Sequence, residues 1–158
     1  MLHLMHQIPR LIALSAVACL ASACGAAPTV EAGTGAVAFA PIMSNSTLPI
    51  VCGPQGGQHI WTAVRAQHLG PDHVNVMVQI TSSQTGAEIC TRSFNDVSLA
   101  SVAGWGEFAG ITCFITDSAA VQGLQLSLVG TVTDKDGHAT TSAPISFDAT
   151  GPTHPCGT

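Results

Sequence analysis

Between Val74 and Ile80 every second side chain is branched and apolar. Val74, Val76, Val78 and Ile80 fall on one side of an extended chain, and Asn75, Met77, Gln79 and Thr81 on the other. A period of two buries one face of a β-strand and wets the other; a helix face would need apolar residues three and four apart. The pattern recurs. In residues 58–68, Ile60, Thr62, Val64 and Ala66 share one face, and His59, Trp61, Ala63 and Arg65 the other. Residues 107–116 set Phe108, Thr112 and Phe114 against Ala109, Ile111, Cys113 and Ile115, and residues 124–133 set Leu124, Leu126, Leu128 and Val132 against polar neighbours. Residues 36–43 and 47–52 read as a first strand broken at Ser44-Asn45-Ser46. Residues 87–94 read as the return of a hairpin, and 139–147 as a last strand. Pro144 has no N–H to donate and marks that strand as an edge. Residues 117–123 form a connector with room for one helical turn. Gly, Pro, Asn, Asp and Ser separate these segments, and nowhere does a helical period persist. Seven or so short strands, with turns spaced roughly 8 to 12 residues apart, predict an all-β fold, an antiparallel sandwich.

The N-terminal segment obeys different rules. Arg10 precedes an apolar run, 11–20 (LIALSAVACL), which is far short of the roughly 20 residues that span a bilayer. It has the length of a signal-peptide core, and Ala21-Ser22-Ala23 supplies the small residues a signal peptidase cuts after. Leu20-Ala21-Ser22-Ala23-Cys24 resembles the bacterial lipobox, in which the cysteine is diacylated and becomes the first residue of the mature protein. That resemblance implies lipidation at Cys24. Gly25, where an Asp would favour retention in the inner membrane, implies an outer-membrane anchor; ordinary cleavage would instead give a periplasmic or secreted protein. The chain then divides into a cleaved signal peptide (1–23), a flexible tether (24–35) rich in Gly, Ala and Thr, and one domain (36–158). About 134 residues remain after cleavage, enough for a single core.

From Cys24 onward three cations, Arg65, Arg92 and Lys135, face nine Asp and Glu. With a single lysine in the chain and no basic run, neither nucleic acid nor anionic headgroups are expected partners. Four cysteines follow Cys24: Cys52, Cys90, Cys113 and Cys156. In an exported domain an even number reads as two disulfides with three possible connectivities. The spacing contains no C-x-x-C, which disfavours a zinc ribbon or a dithiol redox site.

Residues 124–147 (LQLSLVGTVTDKDGHATTSAPISF) resemble the closing hairpin of bacterial Ig-like and fibronectin-III-like domains, where a V-T-D-x-D/N-G turn joins the last two strands. Gly53 to Trp61, GPQGG-x-H-x-W, resembles a stretch that recurs in uncharacterised exported bacterial proteins of this shape. The Ig-like resemblance implies pairings for the cysteines. Cys90 and Cys113 would bond across a hairpin whose midpoint falls near Ser101. Cys52 and Cys156 would bond where the second half of the first strand runs parallel to the last.

Catalytic chemistry is hard to find. No G-x-S-x-G elbow is present, and the cysteines are better used as bridges. His68, Asp72 and His73 put two imidazoles and a carboxylate on one turn, with His59 as a further ligand, a set that could hold zinc or copper. Asp134-Lys135-Asp136-Gly137 lacks the remaining ligands of a calcium loop and reads as a hairpin turn in which Gly137 takes a positive φ. Trp61 and Trp105 are candidates for an aromatic surface binding carbohydrate or protein, Trp105 on a loop between two glycines. The reading that follows is a lipid-anchored, non-enzymatic envelope module that binds or supports a partner, without a cofactor. A small periplasmic metal-binding protein and an enzyme with an unrecognised site are the alternatives.

Overall fold

The computed structural model describes residues 26–54, 56–152 and Cys156. The signal segment and Cys24 lie outside the described residues. In chain order the elements are β1 (Thr29–Thr34), β2 (Ala40–Pro41), β3 (Ser46–Pro49), β4 (Val51–Cys52), β5 (Gln58–Gln67), β6 (Val74–Ser82) and β7 (Glu88–Val97). Then come β8 (Ala100–Val102), β9 (Trp105–Ile115), the single-turn helix α1 (Ser118–Val121), β10 (Gln125–Thr133), β11 (Ala139–Thr141) and β12 (Ile145–Thr150). The fold is all-β, as expected, but short additional strands bring the number among the described residues to twelve, where about seven were anticipated.

Two six-stranded sheets result. One runs β2-β1-β5-β9-β8, with β4 also on β5; the other runs β3-β12-β10-β6-β7, with β11 also on β10. All the pairings are antiparallel except β3 with β12, which is parallel. That exception makes the second sheet mixed. The sheets share one core, to which β5 gives Ile60 and Val64, β6 gives Val76 and Ile80, and β10 gives Leu126 and Leu128. Val74, Val76, Val78 and Ile80 are at most 1 % exposed, so the alternation of β6 is the alternation of the sandwich. Ile60, Thr62, Val64 and Ala66 are likewise buried on the inner face of β5. Asp117 caps α1, its carboxylate accepting from the Ala120 N–H at 3.1 Å.

Four readings need correction. The tether assigned to 24–35 contains β1, which pairs with β5 from Thr29↔Gln67 to Gly33↔Ala63. Its small residues are a packing requirement: Ala32 is buried, and a Cβ on Gly33 would stand 2.5 Å from the Phe39 ring. Pro144 lies between β11 and β12, and β12 is interior, flanked by β10 and β3. The proline ends one ladder on β10 before another starts. Around it Ser142 stands in for ladder bonds, its N–H donating to the Gly130 carbonyl at 2.8 Å and its Oγ accepting from the Gly130 N–H at 3.0 Å.

The third correction is a β-bulge. Thr62 pairs with Ile111 and Val64 with Phe108, so Ala63 faces both Ala109 and Gly110. Gly110 has φ +76, a left-handed value that suits glycine. The extra residue reverses the alternation of β9. Phe108 therefore turns inward against Phe94, ring centroids 5.2 Å apart, while Phe114 points out at 51 % exposure. The fourth concerns Cys90 and Cys113. They are bonded, but β7 and β9 belong to different sheets and form no hairpin with one another.

Candidate functional site

β5 carries His59, Trp61, Ala63 and Arg65 on the side away from the core, and β9 sets Phe114 and Thr112 beside the first two through the pairs His59↔Phe114 and Trp61↔Thr112. Before β5 the chain turns at Gly53 to Gly57, where the Gly53 N–H donates to the Gly57 carbonyl at 2.7 Å and the Gly56 N–H to the Gly53 carbonyl at 3.0 Å. Gly56, at φ +81, takes the left-handed conformation that suits glycine, and Gly53 and Gly57 lie in ordinary contact with the cleft rings. A Cβ on Gly53 would meet the His59 ring at 3.4 Å, and one on Gly57 would meet the Phe114 ring at 3.7 Å. Together these groups bound an open cleft of about 330 Å³, lined by Gly53, Pro54, Gly57, His59, Trp61, Thr112 and Phe114. The volume is that of a small-ligand site, and no charged side chain lines it.

His59 is 4 % exposed, and neither of its ring nitrogens has a hydrogen-bond partner. Its ring meets Trp61 edge-on, centroids 4.6 Å apart, with Phe114 at 6.1 Å. Burial pushes its pKa down, because the imidazolium would lose hydration without gaining an anion. Arg92, on β7 of the other sheet, brings its guanidinium to 5.5 Å from the Phe114 ring, a cation–π contact at the rim. On the far side of Gly57 a second cleft of about 290 Å³ is bounded by Gln58, Thr116, Asp117 and Ser118.

Trp61 and Trp105 belong to the same sheet but to different surroundings. Trp105 begins β9 directly after the tight turn at Ala103 and Gly104, both at positive φ. It is not on an open loop: its ring stacks on the Arg65 guanidinium at 4.2 Å, with Phe39 on that guanidinium at 4.4 Å. Arg65 is also bonded to Glu31 at 2.7 Å. The stack is a closed structural unit, which leaves Trp61 as the tryptophan of the cleft.

The structure does not bring His68, Asp72 and His73 together. His68 lines a hollow with Trp105 and Ser101, while Asp72 and His73 border another beside Asp134 and Asp136. The His73 Nδ1 is 2.7 Å from the Asp96 carboxylate; that hydrogen bond and charge raise its pKa. His59 faces Trp61 instead. Among the described residues no group of three or more His, Cys, Asp or Glu could hold a metal ion. The turn at 134–137 is the hairpin expected, Asp134 Oδ1 accepting from the N–H groups of Asp136 and His138, and Gly137 at φ +88.

The disulfides are Cys52–Cys156 and Cys90–Cys113. A domain stapled in this way belongs to an oxidising, exported environment. No helix among the described residues is long and apolar enough to cross a membrane. No protein-family model matches the chain, and no curated protein is similar to it in sequence.

The alternation of β5 already put His59 and Trp61 on one face. Phe114 joined them only through the strand register, and Arg92 only through the packing of one sheet on the other.

Proposed function

We propose that this protein is an exported, non-enzymatic module of the bacterial cell envelope, anchored through a lipid on Cys24, that binds its partner on the outer face of the sheet containing β5 and β9. The observation that carries the reading is the cleft between Trp61 and Phe114, floored by the unpartnered His59. A half-exposed phenylalanine beside a tryptophan, on the part of the sheet face not overlain by the Phe39 segment, marks a surface used for contact. The Ig-like reading of the sandwich is supported by the parallel register of β3 on β12 and by the division of the chain's first strands between the two sheets. The tether is then the segment before Thr29, long enough to hold the domain close to a membrane.

The test has two parts. The intact mass of protein isolated from its own cells should equal residues 24–158 plus acyl chains, with cysteines labelled only after reduction. The unacylated mature domain should sediment with isolated cell envelopes, and Phe114→Ala should reduce that binding at least tenfold. Equal sedimentation of Phe114→Ala and wild type would overturn binding through this face.

A further inference from the structure

Resting on that binding face, we infer that its partner is a protein segment that lays an aromatic side chain in the cleft between Trp61 and Phe114 and sets a carboxylate of the same segment on Arg92. Three features of the site select this chemistry.

The cleft receives carbon. Trp61 and Phe114 are its walls, and Pro54 lies in its lining. Both nitrogens of His59 are buried, so the floor presents ring carbons to an occupant and no donor or acceptor. A further ring packs against such walls edge-on or offset, as His59 already does on Trp61. The cleft is open along the sheet face, so a free small molecule would stay half in water, whereas a protein segment continues across the surface. The 35–39 loop lies on that same face, its Gly35 carbonyl accepting from the Gly110 N–H at 2.9 Å, and it carries Val37 at 93 % exposure as a further apolar contact.

The rim supplies one charge. Of the three cations from Cys24 onward, Arg65 is paired with Glu31 at 2.7 Å and Lys135 with Asp136 at 2.7 Å. Among the described residues no carboxylate pairs with Arg92, and its Nε has no hydrogen-bond partner. Its guanidinium stands 5.5 Å from the Phe114 ring and 5.7 Å from the Phe94 ring. Positioned by two rings and part-buried, it keeps its donors for an acceptor from outside, and a carboxylate matches their planar fork. One such cation beside nine Asp and Glu suits a single carboxylate and does not hold a polyanion or an anionic membrane surface.

The fold fixes the spacing and the direction. Arg92 is two residues past Cys90, Phe114 is next to Cys113, and the Cys90–Cys113 bridge locks the two strands together there. Since Phe94 meets Phe108, Arg92 stands abreast of β9 on the Phe108 side of Cys113. Asp117, whose carboxylate caps α1, lies beyond Phe114 in the opposite direction. The incoming carboxylate is therefore drawn to the β7 side of the cleft and repelled from the other.

The experiment uses the unacylated mature chain and three preparations of the same cell envelopes: untreated, digested with protease, and oxidised with periodate, which cleaves the vicinal diols of sugars. Wild type should sediment with the first and third and be lost from the second. Arg92→Gln should weaken that binding about tenfold or more, with thermal unfolding unchanged. Acetyl-Trp-Glu-amide should compete with sedimentation about fivefold better than acetyl-Trp-Gln-amide, which lacks only the charge, and Arg92→Gln should remove the difference. Equal competition by the two peptides on wild type, or wild-type binding by Arg92→Gln, would overturn the acidic segment and leave the face standing if Phe114→Ala still binds weakly. Loss of binding on periodate oxidation but not on protease digestion would overturn it in favour of a saccharide on the same face. Failure of wild type to sediment with any preparation would remove both the segment and the face.

Discussion

The sulfur of Cys90, on β7 of one sheet, is bonded to the sulfur of Cys113, on β9 of the other, and their Cα atoms are 5.8 Å apart. Packed sheets stand about 10 Å apart, so the two sheets close on each other at this edge. Cys113 is fully buried and Cys90 nearly so. The bridge ties together two strands that make no ladder with each other, and further along the same two strands Phe94 and Phe108 meet, ring centroids 5.2 Å apart. Cys52–Cys156 works differently, tying the chain beyond β12 back to β4 at the sandwich end.

The two bridges should contribute unequally to stability. The separations of 104 and 23 residues correspond to loop-closure contributions of about 4.7 and about 3.4 kcal/mol. Alanine replacement of each pair, followed by guanidinium unfolding, should show losses in that order unless the space left around Cys113 adds to its share. A loss under about 1 kcal/mol for Cys90/Cys113 would mean the sheets hold that edge without help.

Phe114 and Phe147 should respond in opposite ways to truncation. Phe147 is fully buried on β12, and its replacement by alanine should cost about 3–5 kcal/mol in chemical denaturation. Phe114 is half exposed, and Phe114→Ala should cost under about 1 kcal/mol while weakening envelope binding at least tenfold. A large stability loss for Phe114→Ala would make that ring a structural one.

Gly130, on β10, faces the other sheet. A Cβ there would come within 2.6 Å of the Val64 side chain and 3.4 Å of the Ala32 Cβ. Both neighbours are buried and have no room to retreat. Gly130→Ala should therefore destabilise the domain by about 1–3 kcal/mol, read as a lower melting temperature. Gly70→Ala, with no atom near the added carbon, serves as the control.

Stability should fall as the medium is acidified, in part through His59. Its folded pKa lies below the unfolded value of about 6.5. The neutral ring's contribution is thus complete above that value. It is lost as pH drops toward the folded pKa, because the unfolded chain takes up the proton first. The neighbouring charge is Arg92, a cation at the rim that does nothing to retain a proton on the ring. Melting curves between pH 5 and pH 8 should show the decline, and His59→Phe should flatten it. An unchanged slope in that variant would assign the decline to other groups.

His73 should titrate on the other side of the same reference. Asp96 holds its proton through a 2.7 Å hydrogen bond and raises its pKa. The pair's small, fully solvated contribution is present below about 6.5 and fades as pH rises through the folded pKa. Proton NMR of the imidazole should place His73 above the ordinary value of about 6.5, and Asp96→Asn should remove the upward shift.

Much of this architecture was legible along the chain. The alternation in β6 and β10 predicted which side chains would be buried, and the burial of Val78 and Leu128 follows it; in β5 Ile60 and Val64 are buried as read, but His59 and Ala63 of the opposite face are buried too. The turn at 134–137 and the one-turn connector at 117–123 were readable from Asp and Gly. Trp61 was visible as an aromatic on the wet side of a strand. Trp105 was misplaced because its flanking glycines serve a two-residue turn and a close approach to Leu99, and do not mark an open loop.

What the sequence determined alone is what depends on near neighbours: extended backbone, the face each side chain takes within an unbroken strand, the turns, and cysteines even in number. The tertiary structure decided which strands share a sheet, and so that Cys90 and Cys113 meet between sheets and not along a hairpin. It also decided that Phe108 enters the core while Phe114 leaves it. Those outcomes depend on hydrogen-bond partners far apart in the chain and on one extra residue opposite Ala63. A strand's own period says nothing of its partner, and a single bulge exchanges the faces of every residue beyond it.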